Sequence, residues 1–454
     1  MQSMRIEPIS NTCRQSVLNR IAGYCLALTL AIVAQDTAES SATTLHDYVA
    51  HAMRANPAIA ALRSKVASAG YAVKLSTALP EPSLSAGYFI SEVETRVGPQ
   101  RAKLGASQNI PWPGKLQAQR GVAEANAAAT HQELETARTE LAAAIADVYA
   151  ALYATGRAIS ISHDNLKLLR YMERVLRTRY AAASVAQTSV LKVQVEAAVL
   201  DDNISSLGSR AATQRERLKA LLGGEFTRPI DFPHELPDLA PDPAQDALID
   251  SLKLLNPALQ RAAFLTLHAE RNVTLAKAAL APDFMLMTDY IITEETSSSM
   301  VTPGENGKDP WIIGLSFTLP LRITTNASEI SQARALRAQA AAGEKDLRNT
   351  LSARAVEFYR HYHDTQRKIA LYESVLVPKA RQTLSLLQEA YANSQATLLD
   401  FLDAQRRLLD LEIEYARLQA QLLQTTGRLD MLTGGAKLLS KADYSTPVSR
   451  ETDL

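Results

Sequence analysis

Asp400 and Asp403 are the residues whose type and spacing most suggest chemistry. Three positions apart, they share one face of a helix. Carboxylates held that close either raise each other's pKa or attract cations. Their first-half counterparts, at an offset of 211 residues, are Ser189 and Lys192, so the acidic pair occurs once. The plain alternative is a solvated helix face on which Asp403 pairs with Arg407, four residues on. His361 and His363 resemble metal ligands by type, but a spacing of two sends them to different faces of a helix. No His, Cys or carboxylate cluster has zinc spacing, and neither a phosphate loop nor a nucleophile motif occurs. An enzyme is not expected, nor a bound metal or cofactor.

The elements that must position the aspartates come from a chain written twice. Asn56-Pro57 returns as Asn256-Pro257, Tyr149 as Tyr359, Tyr180 as Tyr391, Gln194 as Gln405 and Gly223-Gly224 as Gly434-Gly435, with the offset drifting only from 200 to 211. Solenoid repeats recur every ~20–50 residues, so this is a duplicated half-structure instead. The first repeat is read as 43–224, an irregular linker as 225–243, the second repeat as 244–435 and a tail as 436–454.

Each half reads as helix, two strands, long helix, returning helix. Helices are expected over Leu45 to Thr77 and Ala244 to Ala281, each interrupted at Asn-Pro because proline disfavours helix in the preceding residue. Strands are expected at about 83–94, 101–110, 283–293 and 311–320. Leu84, Ala86, Tyr88 and Ile90 oppose Ser83, Ser85, Gly87 and Ser91, and Leu104, Ala106 and Ile110 oppose Lys103, Gly105, Ser107 and Asn109. Trp311, Ile313, Leu315, Phe317 and Leu319 alternate with Gly314, Ser316 and Thr318. Alternation over ~10 residues suits a tilted membrane-spanning strand, apolar to lipid and polar to a lumen. Four strands cannot close a barrel, and open edges are forbidden in lipid, so the barrel must be shared between chains. Pro80, Pro82, Pro111, Pro113, Pro282 and Pro320 mark the strand–helix junctions, where proline ends a ladder and suits a first helical turn.

After each hairpin, Gly114 to Tyr180 and Ile323 to Tyr391 are dense in Ala, Glu, Arg and Leu, with Pro378 the only proline in either run. Such helices would approach ~100 Å, several times the thickness of a bilayer's hydrocarbon. The returning helices carry a coiled-coil heptad at Leu411, Tyr415, Leu418, Leu422, Thr425, Leu429 and Leu432, repeated in register from Leu200 to Leu221. The double glycines that follow suit helix C-terminal caps.

Lys and Arg total 48 and Asp and Glu 48, so there is no bulk charge for nucleic acid, and no basic cluster with interleaved aromatics supplies a local one. Residues 1–34 read as an export signal, with Arg5, Arg14 and Arg20 before the apolar stretch Ile21 to Val33 and cleavage between 34 and 42. Both cysteines, Cys13 and Cys25, lie within it, and Tyr24 argues against a lipid-anchor motif. Cleavage after Ala34 removes three Arg and one Glu and leaves a mature charge of about −2. No later stretch reaches the ~20 apolar residues of a membrane helix.

With the repeat and the proline-bounded hairpins, the segment Tyr391-Ala-Asn-Ser-Gln-Ala-Thr-Leu-Leu-Asp-Phe-Leu-Asp-Ala-Gln405 resembles the TolC-type outer-membrane efflux proteins over essentially the whole mature chain. The resemblance implies a mixed α and β membrane protein. Three copies would share a twelve-stranded β-barrel above a long coiled-coil tunnel in the periplasm of a Gram-negative bacterium. It also implies a passive exit duct, supplied by an inner-membrane pump, with the RND type expected, through a periplasmic adaptor. Asp400 and Asp403 would then form the aperture, six carboxylates around the trimer axis, with Tyr391 locking the turn; a merely packed tyrosine is the alternative. The family's usual glycine is here Ser394, which puts the turn's shape in question, and its aperture-locking arginine is Ala396. Gln108-Asn-Ile-Pro-Trp-Pro-Gly-Lys-Leu116 is similar to members that partner heavy-metal and cation pumps, which makes metal cations the leading cargo before small organics or a polypeptide. The rival reading is a non-conducting periplasmic scaffold or adaptor.

Overall fold

The computed structural model describes residues 44–224, 226–238, 244–297 and 304–439. The proposed signal and both cysteines lie outside them, as do most of the tail and parts of the linker and the second hairpin tip. The first half runs α1 (Leu45–Ala55), α2 (Pro57–Leu75), β1 (Ser83–Val93), β2 (Gln100–Ile110), α3 (Pro113–Ala181) and α4 (Gln187–Leu221). The second runs α5 (Gln245–Leu255), α6 (Pro257–Ala278), β3 (Asp283–Thr293), β4 (Trp311–Thr318), α7 (Ile323–Leu371), α8 (Val377–Ala392) and α9 (Leu398–Leu432), closed by a short α10 (Ala436–Leu439). Among the described residues no helix is long and apolar enough to cross a membrane.

The repeated Asn-Pro and Gly-Gly motifs turn out to be two sides of one joint. Asn56 caps α2, its Oδ1 accepting from the amides of Ala58 and Ile59, while its Nδ2 donates to the carbonyl of Leu221 at the end of α4 (2.9 Å). Asn256 repeats this, with Oδ1 on the Leu259 amide (3.0 Å) and Nδ2 on the Leu432 carbonyl (3.0 Å). One side chain thus satisfies an orphan donor of one helix and an orphan acceptor of another. The glycines let the returning helix end there: Gly223 has φ 99°, and a Cβ on it would lie 2.5 Å from the Ala55 carbonyl oxygen. Around these joints lie two apolar clusters, one of Leu45, Val49, Met53, Ile145, Leu152 and Leu218, the other of Leu248, Leu252, Leu351, Leu429 and Leu432. The described part of the linker packs onto the first, with Phe232 over Gly156 and the Arg215 guanidinium 4.4 Å from the Phe232 ring.

α3 is one unbroken helix of 69 residues, about 100 Å at 1.5 Å per residue. Its second-half counterpart is not one helix. α7 gives way to a π-turn at Tyr372–Leu376 before α8. The repeat offset rises from 210 at Tyr149/Tyr359 to 211 at Tyr180/Tyr391, so the second half carries one extra residue in that interval, and a π-turn is how a helix absorbs one. Pro378, which has no N–H to donate, follows at once.

The four strands form one antiparallel sheet in the order β1-β2-β3-β4, the two hairpins joined through β2 and β3. The registers Leu84↔Ala106, Leu104↔Tyr290, Leu286↔Leu315 and Tyr290↔Trp311 gather the apolar alternation of all four strands onto one face. Ile90, Trp311 and Ile313 on that face are 95%, 71% and 69% exposed. The other face holds Ser83, Ser85, Lys103, Gly105, Ser107, Asp289 and Ser316, including a Lys103–Asp289 ion pair at 2.9 Å. Met285, Met287, Ile291 and, on β4, Ile312 interrupt its polarity. Among the described residues β1 and β4 have no strand beyond them.

Candidate functional site at the hairpin tips

Each long helix meets its returning helix in a tight turn, and the two turns share one backbone. Tyr180 and Tyr391 lie just before them, and three residues on Ala183 and Ser394 adopt the left-handed region, with φ 56° and 62°. The amide of Ser184 donates to the Arg179 carbonyl (2.8 Å), as that of Gln395 does to Ala390 (2.7 Å). This is a helix C-terminal motif that glycine normally supplies. Ser394 therefore keeps the same turn as Ala183 and places a side chain where the backbone disfavours one.

The side chains differ. α9 opens with a capping box: the Thr397 hydroxyl accepts from the Asp400 amide (3.2 Å), and the Asp400 carboxylate takes the Thr397 amide (3.1 Å) and hydroxyl (2.6 Å). The Thr397 hydroxyl, then its backbone N–H, holds the Asp400 carboxyl below the usual aspartate range. Within one chain, then, Asp400 is shifted down, opposite to what a crowded acidic pair alone would do. At the same position α4 starts from Ala186, which has no side-chain cap.

Asp403, also exposed, pairs with Arg406 (3.5 Å) rather than with Arg407. Arg406 also binds Glu196 of α4 through its Nε (3.0 Å), so one guanidinium ties the second-half tip to the first-half hairpin. Tyr391 is half-buried, its ring 6.4 Å from that of Phe401 and 5.5 Å from the Arg179 guanidinium, which also donates to the Ala392 carbonyl (3.2 Å). Phe401 is wholly buried with Leu169, Leu176, Val193 and Leu402 in the apolar cluster of the tip. The repeated glutamines also part company. Gln194 donates to Glu173 within its own hairpin (2.8 Å), while Gln405 donates to Asn165 across the halves (3.0 Å).

Tyr391, Asp400 and Asp403 thus stand together at one tip, and the junction prolines lie at the far end of the long helices. There Pro113 opens α3, the Pro80 carbonyl accepts from Gln108 (2.7 Å) and that of Pro320 from Asn326 (3.2 Å). Pro111 separates β2 from α3, Pro82 directly precedes β1, and Pro282 precedes Asp283, which binds Lys115 (2.7 Å) and the Trp112 amide (3.1 Å). β4 ends at Thr318, two residues short of Pro320. His361 bonds Gln421 (2.6 Å) and His363 sits edge-on to Tyr359 and Tyr362, so the two rings face different neighbours. Sequence reading missed Thr397, although Thr-x-x-Asp is a legible capping signal, and missed Arg179, Arg406 and Glu196, whose roles depend on the packed hairpins.

The family model described as outer membrane efflux protein matches residues 49–224 and 248–435, once for each half. The pyoverdine export outer membrane protein OpmQ of Pseudomonas putida is 23% identical over 339 residues, which cover 74% of this chain and 70% of that protein. Among solved structures, the outer-membrane channel OprN superposes with a TM-score of 0.73 at 18% identity, over 87% of this chain and 90% of that one. The fold of CusC matches with a TM-score of 0.73 at 16% identity, over 87% and 92% of the two chains. That of the outer membrane protein VceC from Vibrio cholerae matches with a TM-score of 0.69 at 19%, over 86% and 96%. A duplicated four-strand, long-helix chain matched across both of its halves belongs to the outer membrane efflux protein family, the TolC type.

Proposed function

We propose that this protein is the outer-membrane exit duct of a tripartite efflux system, its helical body in the periplasm. One observation carries the reading: a sheet with an exposed apolar face and two edges unpaired among the described residues, continuous with a helix of 69 residues. Apolar strands with open edges are tolerated in lipid only when neighbouring copies close the ring. Three copies would supply twelve strands, and the duct would be passive, with energy from an inner-membrane pump of RND type reached through a periplasmic adaptor. Asp400, Asp403 and Tyr391 would form the aperture. There Asp403 would screen cations, and Asp400 would combine charge with its cap. The Gln108–Leu116 segment favours metal-cation cargo. A relative that exports pyoverdine favours a small organic molecule as the second reading.

Fractionation tests the duct directly. The protein is expected to resist salt and alkaline washes, to need detergent for extraction, and to run as a trimer. Release by washing, as a monomer, would replace the duct with the periplasmic scaffold.

A further inference from the structure

The sheet and the helical body end in the same order. Strands run β1 to β4, and the tip helices pack α4 on α3, α3 on α9, and α9 on α7 and α8. First-half elements thus form one edge of the chain in both layers and second-half elements the other. A copy added at the open edge of the sheet would bring α4 of one chain beside the α7–α8 segment of the next.

α4 is built for such a neighbour. Val190, Val193 and Leu200 are buried, and Ala197 and Ile204 pack with them on the seam toward α3. At 100° per residue, Leu191, Val195 and Val199 lie on the opposite side of the helix. They are 50%, 60% and 53% exposed, three half-exposed apolar side chains at successive turns. The second-half edge offers Leu371 and Leu386, 40% and 58% exposed. The heights agree. Arg179 reaches Tyr391 and Ala392, which sets the two tips level. Leu191 and Leu386 each lie eight residues from the left-handed turn residue, Ala183 or Ser394.

We infer that the α4 stripe Leu191, Val195 and Val199 is an apolar latch, seated on the α7–α8 edge of an adjacent copy and holding the tips together. This rests on the duct reading and deepens it: tip closure between copies would depend on buried apolar area, not on an ion pair. An apolar latch is insensitive to ionic strength, whereas exposed ion pairs are screened.

The test uses the full-length chain in a Cys13→Ser/Cys25→Ser background, purified in detergent. Leu191→Cys combined with Leu386→Cys, treated with a short bismaleimide, should give covalent dimers and trimers that neither single variant gives. Val195→Ser should raise the open-to-closed ratio in bilayer recordings about tenfold, from the lost burial of one apolar side chain, at low and high salt alike. Absent cross-links in a protein that still runs as a trimer and conducts would overturn the latch and leave the duct. So would cross-linking of Leu191→Cys to a co-purified adaptor in place of a second copy. A chain that neither trimerises nor conducts would overturn both.

Discussion

The two hairpin tips share a backbone and differ in almost every side chain that gives a turn its chemistry. Ala183 and Ser394 take the same left-handed conformation and close the same hydrogen bonds. Yet only the second tip has a capping box, a carboxylate pair and a tyrosine packed on a buried phenylalanine; Tyr180, the first-half equivalent of Tyr391, is exposed. The Asn-Pro/Gly-Gly joints behave in the opposite way, with the same asparagine capping one helix and bonding the end of another in both halves. After duplication, the joints answer to one demand, the pairing of helix ends, which is identical in each half. The tips, which in the proposed duct would answer to whatever passes or docks there, have diverged. The π-turn belongs with the tips, since it interrupts only the second-half helix that leads to the acidic one.

The largest expected effect falls on the joints. Gly223→Ala would force a Cβ against the Ala55 carbonyl at a φ unfavourable to it, and should cost about 3 kcal/mol. The measurement is thermal unfolding of the detergent-solubilised protein. Asn256→Ala, which unpairs the Leu432 carbonyl and uncaps α6, should cost about 2 kcal/mol in the same assay. If Asn56→Ala cost far less, the claim that the joints are equivalent would fail.

The tips should respond more weakly and unequally. Thr397→Ala should cost about 1 kcal/mol, read as faster amide exchange confined to the start of α9, while Ala186→Ser should slow exchange at the start of α4 by a similar factor. Because the folded-state pKa of Asp400 is depressed, its cap is fully present at neutral pH and is lost as pH falls below about 4 through the folded value. Exchange at the second tip should therefore quicken on acidification, and exchange at the Ala186 cap should show no such dependence. Smallest of all, Ser394→Gly and Ala183→Gly should each stabilise their turn by about 1 kcal/mol or less through relief of the left-handed backbone. Equal gains would show that the turns themselves have not diverged.

Much of this was legible in sequence because it is local. The alternation from Trp311 to Leu319 is strand chemistry, Asn-Pro and Gly-Gly punctuate helices, and both signals act within a few residues of where they are written. That Asn56 would bond the carbonyl of Leu221 is a contact across 165 positions, with no local mark. The π-turn was present as a single extra residue between repeats but has no compositional signature. At the site itself, Asp400 and Asp403 stand out as a pair because they lack first-half counterparts. Their separate attachments, one to Thr397 and one to Arg406, depend on a helix start and on packing against α4.

The most direct test of the whole account is ion conductance of the purified protein in planar bilayers, beside Asp400→Asn/Asp403→Asn, which removes both charges and keeps an oxygen at position 400 for the cap. The account predicts cation-selective pores whose block by divalent cations is lost in the double variant. Pores indifferent to the substitution would refute the acidic aperture. Absence of conductance from a protein that washes off membranes as a monomer would contradict the duct itself.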